Sequence, residues 1–298
     1  MTFRRLSATR NGSGRLQLAR PRGWRRPLLV LLLCGCALVA VPAAIATLPF
    51  NSGPQYGAQY LQYQQCCNLD GGYEKLEGTR ADIAAWQTTP PSNGCILYDS
   101  VVADFTSSDE TTQRRNFEVG MAKCGPGAQW VDQNPNCAFH KLSFYAEIYD
   151  PNSGTYICDP ITFLGDPLSG TYYKFSLKET SSGSGVWRAY INGAYTGVED
   201  TGYNNYVAIQ EWGEAMRTDT SSEDPGCTTD TSDPEYWSAT ASFSDFDRFS
   251  FARGSWYTVH SSEMSPTVAQ QQSNPYCWSV SQLNYDSGTD SNSWVLYK

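Results

Sequence analysis

From about Cys95 onward this chain is a series of short runs in which apolar and polar residues alternate, separated by clusters of turn residues. Asn116 to Met121 places Phe117, Val119 and Met121 on one side. Lys141 to Tyr149 places Leu142, Phe144, Ala146 and Ile148 together, with Ser143, Tyr145, Glu147 and Tyr149 opposite. Tyr172 to Lys178 and Val186 to Asn192 repeat the pattern across Ser181-Ser182-Gly183-Ser184-Gly185, and Tyr206 to Met216 and Phe243 to Phe251 extend it. A period of two is that of a strand with one face toward a core. No stretch sustains a helical period, apart from a turn or two expected around Arg80 to Trp86. Many short strands at regular spacing predict an all-β fold, an antiparallel β-sandwich of jelly-roll or concanavalin-like type.

The apolar content of 40% and aromatic content of 13% are ample for a packed core and exclude a disordered chain. We read residues 1–46 as an export segment, 47–94 as an N-terminal spacer with the first strands, and 95–298 as the sandwich. Asn51 to Gln65, rich in Gln, Tyr and Gly, is expected to be loose spacer. There is no internal repeat and no sign of a second domain.

The export segment rests on Arg20, Arg22, Arg25 and Arg26, followed by an apolar run from Pro27 to Ala46 that ends Ala44-Ile45-Ala46. That is the layout of a secretory signal peptide cleaved after Ala46. A run of this length also suits a retained signal anchor, with the basic residues on the cytoplasmic side. Leu33-Cys34-Gly35-Cys36 is similar to a lipidation box, but the apolar run continues well past it. Arg25-Arg26 fits a twin-arginine signal poorly. Every reading puts the body outside the cytoplasm, secreted or held at the outer face of the membrane. The segment holds eight Arg and no acid, so the body keeps 13 basic against 30 acidic residues, a net of −17. Such a body repels nucleic acid and anionic lipid, so membrane contact is expected only through residues 27–46 if they are retained.

Eight cysteines remain in the body: Cys66, Cys67, Cys95, Cys124, Cys137, Cys158, Cys227 and Cys277. An even count in an exported chain predicts a disulfide-stapled fold with up to four bridges. Cys124–Cys137 is the pairing expected first, because Gly125, Pro126, Gly127 and Pro135 between them suit a stapled hairpin end. Zinc would need ligand pairs at short spacing, and only adjacent Cys66-Cys67 come close. His140 and His260 are the only histidines, which excludes His-rich metal sites. A loop holding Asp219, Glu223, Asp224, Asp230 and Asp233 has no recognisable calcium motif. We therefore expect no metal and no cofactor.

The face opposite the core carries an unusual set. Its outward positions are Asn116 and Glu118 on one strand, Tyr145, Glu147 and Tyr149 on another, and Tyr206, Gln210, Trp212 and Glu214 on a third. An ordinary outward face shows Lys, Thr, Ser and Glu to water. Carboxylates interleaved with aromatic rings suit a concave binding face, with rings for contact area and acids for chemistry. The alternative is an outer face whose aromatic residues pack under a loop. Glu211, of opposite parity to Glu214, is expected to point to the core or to sit at a bulge.

Segments in these same strands, in order, resemble the glutamic peptidases called eqolisins, small secreted β-sandwich acid proteases. Glu118-Val119-Gly120 takes the place of the family's Q-x-G, and Tyr145-Ala146-Glu147-Ile148-Tyr149-Asp150-Pro151 is similar to W-Y-E-W-Y-P. Glu211-Trp212-Gly213-Glu214 resembles E-W-I-V-E with one residue fewer, and Phe243 to Phe251 resembles F-A-D-F-G-S-V-T-F. The resemblance covers roughly residues 116–251. It implies a catalytic pair at Glu118 and Glu214, with Glu118 standing where the family has Gln; the family's tryptophan-glycine strand before it is missing. In a Glu/Glu pair two nearby carboxyls share one proton, the ionised member activating water and the protonated one donating to the carbonyl oxygen.

Two functions follow. One is an acid endopeptidase, or a degenerate relative of one, with Glu118 and Glu214 catalytic and Tyr145, Glu147, Tyr149, Gln210 and Trp212 binding substrate. The other is an extracellular module that binds a peptide or glycan on Tyr145, Tyr149, Tyr206 and Trp212. Glu118, Glu147 and Glu214 can also be read as glycosidase carboxylates, although the E-x-D-x-x-E strand of laminarinase-like sandwiches is absent. No G-x-S-x-G elbow is present. The partner expected is an extracellular polymer, and the chain is expected to be a monomer.

Overall fold

The computed structural model describes residues 55–64, 75–105, 113–128, 137, 139–150, 155–203, 207–217, 228–234, 236–260, 265–269, 279–280, 284–286 and 291–298. The export segment, Tyr206, Cys66, Cys67, Cys227, Cys277 and the acidic loop up to Cys227 lie outside the described residues. Among the described residues no helix is long and apolar enough to cross a membrane.

The strands are β1 (Gln55–Gln64), β2 (Gly78–Thr89), β3 (Gly94–Phe105), β4 (Gln113–Cys124), β5 (Ser143–Asp150), β6 (Thr155–Ile161), β7 (Tyr173–Glu179) and β8 (Val186–Ile191). They continue as β9 (Ala194–Thr201), β10 (Val207–Arg217), β11 (Ser238–Ser250), β12 (Ser255–Thr258), β13 (Ser265–Ala269), β14 (Ser279–Val280), β15 (Asn284–Asp286) and β16 (Ser291–Tyr297). One sheet runs β13-β1-β10-β3-β4-β5-β6, and the other β14-β16-β11-β2-β7-β8-β9, with β12 on β11 and β15 on β16. The paired strands are antiparallel. The fold is the all-β antiparallel sandwich that the alternation predicts.

One apolar cluster fills the space between the sheets. The first sheet supplies Ile96, Val102, Phe117, Val119, Phe144 and Ile209, and the second Ile83, Phe175, Leu177, Trp187, Phe243 and Trp294. Phe243 and Trp294 stack with ring centroids 4.0 Å apart. These side chains share one parity along each strand, so a slip of one residue would exchange the buried set for the opposite one.

Three sequence expectations are corrected. Arg80 to Trp86 is strand, not helix: Ala81, Ala84 and Ala85 favour helix locally, but pairing of β2 with β7 and β11 on its two edges overrides that preference. Gln55 to Gln64 is not loose spacer; it pairs along β10 on one side and β13 on the other. Cys124 does not pair with Cys137: the bridges are Cys95–Cys124 and Cys137–Cys158. Cys95 and Cys124 are directly opposed across β3 and β4, while Cys137 lies in the loop after β4 and reaches β6. Bridges closing 29 and 21 residues each stabilise by about 3–4 kcal/mol in the chain-entropy account.

Candidate functional site

Parity on β3, β4, β5 and β10 selects the face of the first sheet that looks away from the second. Rows of cross-strand partners locate each residue on it. One row runs Gln210–Val101–Glu118–Glu147–Cys158, so Glu118 and Glu147 are directly opposed. The next runs Trp212–Asp99–Gly120–Tyr145–Pro160. The row after that holds Glu214 opposite Leu97. Asp99 is therefore the diagonal neighbour of both Glu118 and Glu214, a spacing of about 7–8 Å within reach of side chains.

Gly120 makes this arrangement possible. A Cβ at that position would lie 2.1 Å from the Tyr98 carbonyl oxygen and 2.6 Å from the Asp99 Cβ. With no side chain there, the Tyr145 ring crosses β4 to Asp99. The Tyr145 hydroxyl lies 2.5 Å from Asp99 Oδ2 and 3.5 Å from Glu118 Oε2. Asn116 Nδ2 donates to Glu118 Oε1. Trp212 Nε1 donates to Gln210 Oε1 at 2.8 Å.

Apart from Tyr149 the constellation is buried. Asp99, Glu118, Glu147 and Glu214 are 1–2% exposed, Gln210 1%, Trp212 4% and Tyr145 fully covered. Tyr149 is half-buried and packs against Tyr156 at a centroid distance of 5.0 Å. A second cluster covers part of the face: Phe139, Ala128 and the Cys137–Cys158 bridge pack on Leu97, Ala122, Tyr145 and Tyr156. All seven sequence-predicted site residues thus lie on one face, and all but the half-buried Tyr149 are buried rather than set along an open groove.

No ion pair between described residues involves Asp99, Glu118 or Glu214. Burial without a cation favours the neutral carboxyl. Burial raises Asp99 to about 7, against the opposing effect of the Tyr145 hydrogen bond. Burial, then the Asp99 charge, raises Glu214 to about 8. Glu118 is pushed well above the usual range by burial, and further by Asp99, Glu147 and Glu214. Oδ1 of Asp99 and Oε1 of Glu214 are buried with no hydrogen-bond partner. Among the described residues no group of three or more His, Cys, Asp or Glu is arranged to hold a metal ion.

Such a cluster holds and releases protons near neutral pH, and the acid form is the stable one. Perturbed carboxyls of this kind are able to exchange protons in general acid–base chemistry. Sequence reading placed Glu118, Glu147 and Glu214 together but missed Asp99. The signal was available: Ile96, Tyr98 and Val102 face the core, so Leu97, Asp99 and Val101 must face away.

No protein-family model matches the chain, and no curated protein matches it. Solved structures similar to it include scytalido-glutamic peptidase with a peptide-based transition-state analogue, at 14% identity and TM-score 0.43, covering 81% of this chain and 97% of that one. SCP-B, a member of the eqolisin family of peptidases in complex with the tripeptide Ala-Ile-His, is similar at 14% identity and TM-score 0.41, with coverage of 81% and 97%. The catalytic domain of an endo-1,3-β-glucanase (laminarinase) from Thermotoga petrophila RKU-1 is similar at 9% identity and TM-score 0.31, with coverage of 56% and 69%. At these scores the likeness is distant, and no function passes through it to this chain.

Proposed function

We propose that this chain is an exported hydrolase of polymeric substrates, a peptidase first, whose acid–base groups are drawn from Glu118, Glu214 and Asp99. The observation that supports it is the convergence of buried carboxyls on one sheet face, with no cation paired to Asp99, Glu118 or Glu214. In this reading one carboxylate activates water and a protonated neighbour donates to the carbonyl oxygen, so the enzyme works where the cluster is partly ionised, around the value near 7 to which burial raises Asp99. Glu147, Tyr149, Gln210, Trp212 and Tyr145 line the same face and orient the chain being cut. The bridges Cys95–Cys124 and Cys137–Cys158 fit an exported protein.

The alternative binding module needs exposed rings, and burial of Tyr145 and Trp212 weighs against it. The acids are covered too, so a polymer reaches them only once the cover is displaced. The assay therefore includes protein pre-incubated in acid. Digestion of a denatured protein and a panel of polysaccharides between about pH 2 and 8 tests the reading. Cleavage by wild type and its loss in folded Glu214→Ala supports it. No cleavage of any substrate by folded wild type overturns it and leaves the binding module.

A further inference from the structure

We propose that the end of the sandwich where β4 finishes and β5 begins is a second binding site, outside the acid cluster, that grips a polypeptide. An acidic side chain of the ligand sits beside His140, and its apolar neighbours lie on the adjoining loop. The class of ligand rests on the hydrolase reading of the acid cluster; the site adds which sequences the enzyme holds.

Two cavities open at this end. One, of about 650 Å³, has Phe139, His140, Lys141, Phe144, Ile161 and Asp166 in its wall. The other, of about 320 Å³, has Pro90, Lys123, Pro126 and His140. His140 is exposed and borders both, and each cavity has its own lysine. The body as a whole carries 30 acidic against 13 basic residues, whereas the described residues lining these cavities set Lys123, His140 and Lys141 against a single acid, Asp166. The site is therefore complementary to an anion where most of the surface is not. Lys141 pairs with Asp166 at 2.6 Å, but the pair is exposed and worth little, so an incoming carboxylate can compete for the lysine. Lys123 Nζ donates to the Thr88 carbonyl oxygen at 2.8 Å and has no ion pair among the described residues. An ammonium has three donors, so two remain for a ligand.

The same end collects exposed apolar side chains. Trp86, Phe163, Leu164 and Leu168 are 53, 56, 37 and 67% exposed. Phe163 and Leu164 lie in the turn closed by the Gly165 N–H and the Thr162 carbonyl oxygen, both residues of the larger cavity's wall. Ser169 Oγ donates to the Trp86 carbonyl oxygen at 2.6 Å, and the Gly170 N–H to that of Ala85 at 2.8 Å, which fixes the loop after Leu168 on β2 beside Trp86. Scattered singly such residues need no explanation, but grouped beside a basic cavity they mark a contact surface. Leucine side chains offer no flat ring for a sugar to stack on, so they suit the apolar side chains of a polypeptide.

The site is within reach of the acids. Ser143, in the larger cavity's wall, ends the row Glu214–Leu97–Ala122–Ser143. Three strand spacings separate the ends of that row, about 14 Å, which an extended chain covers in about four residues. Phe139 lines the cavity and packs on Tyr145 of the acid face at a centroid distance of 6.2 Å. A polypeptide held beside His140 thus lies a few residues from Glu214.

The test measures binding to the folded full-length protein carrying Glu214→Ala, which prevents cleavage. The probes are a capped Leu-Glu-Phe-Leu peptide and its counterpart with Gln in place of Glu, compared by isothermal titration at about pH 6, where a free glutamate is ionised. The Glu peptide should bind at least about 5-fold more tightly, and the preference should shrink in about 1 M salt. Adding Lys123→Met and His140→Ala should abolish the preference, whereas adding Phe163→Ser and Leu168→Ser should weaken both peptides by a similar factor. Equal affinity for the two peptides, a preference that survives in the folded Lys123→Met and His140→Ala variant, or no binding of either overturns the proposal. Tighter binding of polygalacturonate than of the Glu peptide overturns the choice of a polypeptide. A Glu preference in binding, with no hydrolysis of any substrate by wild type, removes the hydrolase reading and leaves this site standing.

Discussion

Glu211 and Glu214 lie three residues apart on β10 and look to opposite faces of one sheet. Both are almost fully buried and both are pushed upward by burial. Their surroundings differ. Glu211 points between the sheets, where the Ser100 hydroxyl lies 2.8 and 2.9 Å from its two oxygens and the Thr79 hydroxyl 3.4 Å away. Glu214 looks the other way, toward Asp99, and one of its oxygens has no hydrogen-bond partner. Hydroxyl donors make the first carboxyl a satisfied part of the core. The Asp99 charge raises both, but an oxygen of the second acid has no donor to satisfy it. Burial alone does not mark a functional acid; what faces it does.

The largest effect that separates the two is on turnover. Glu214→Ala should lower hydrolysis by at least about 10²-fold, the ordinary contribution of a general acid or base. Folded Glu211→Gln should retain it. Equal losses in the two variants would erase the distinction.

Stability against pH is the next contrast. Asp99 rises from 3.8 to about 7 and Glu214 from 4.5 to about 8 on folding. The folded state therefore binds more protons than the unfolded one across that interval. Their stabilisation is complete below about pH 4 and is lost as pH rises through about 7–8. The melting temperature should fall steadily from about pH 4 to pH 8, for a loss on the order of 4 kcal/mol per group at most. Glu214→Gln should flatten that slope in a thermal-shift series. A melting temperature that rises over the interval would contradict the sign.

Gly120→Ala sharpens the comparison from the backbone side. Its Cβ would strike the Tyr98 carbonyl and the Asp99 side chain, so overpacking should cost about 1–3 kcal/mol and loosen the Tyr145–Asp99 contact. Denaturant unfolding measures the first effect. The smallest change is expected from Glu118→Gln, nearly isosteric with the protonated acid. It should preserve or raise hydrolysis and shift the upper pH limit upward by about one unit, because a Gln amide donates at every pH where Glu118 must be protonated to do so.

Much of this site is legible from alternation alone, because parity is a local property of the chain. Phe117 and Val119 identify the core side, and that places Glu118 on the other; the same reasoning places Glu147 and Glu214. The contents of a row are not legible, since register depends on turns and on packing between distant segments. Nothing local to Glu118 says that Glu147 stands opposite it, or that Asp99 lies diagonal to it. The bridges themselves follow from the cysteine count, but the Cys124–Cys137 pairing does not hold, for the same reason: Cys124 is close to Cys137 in sequence, yet its bridge follows the β3–β4 register to Cys95. The Arg80 to Trp86 helix failed because local propensity was read where long-range pairing decides.

The Cys95–Cys124 bridge has a consequence for how the molecule is assembled. It joins two residues that are partners only in the native alignment of β3 with β4. A shift of one residue would point the two thiols to opposite faces and turn Glu118 toward the apolar interior. Oxidation of this pair therefore acts as proofreading: only a hairpin aligned to bring the acids together can be sealed, and once sealed it cannot slide. Chains folded without an oxidant should include misaligned hairpins that no later step corrects, so the redox state of the folding compartment decides the yield of the acid cluster as well as its durability.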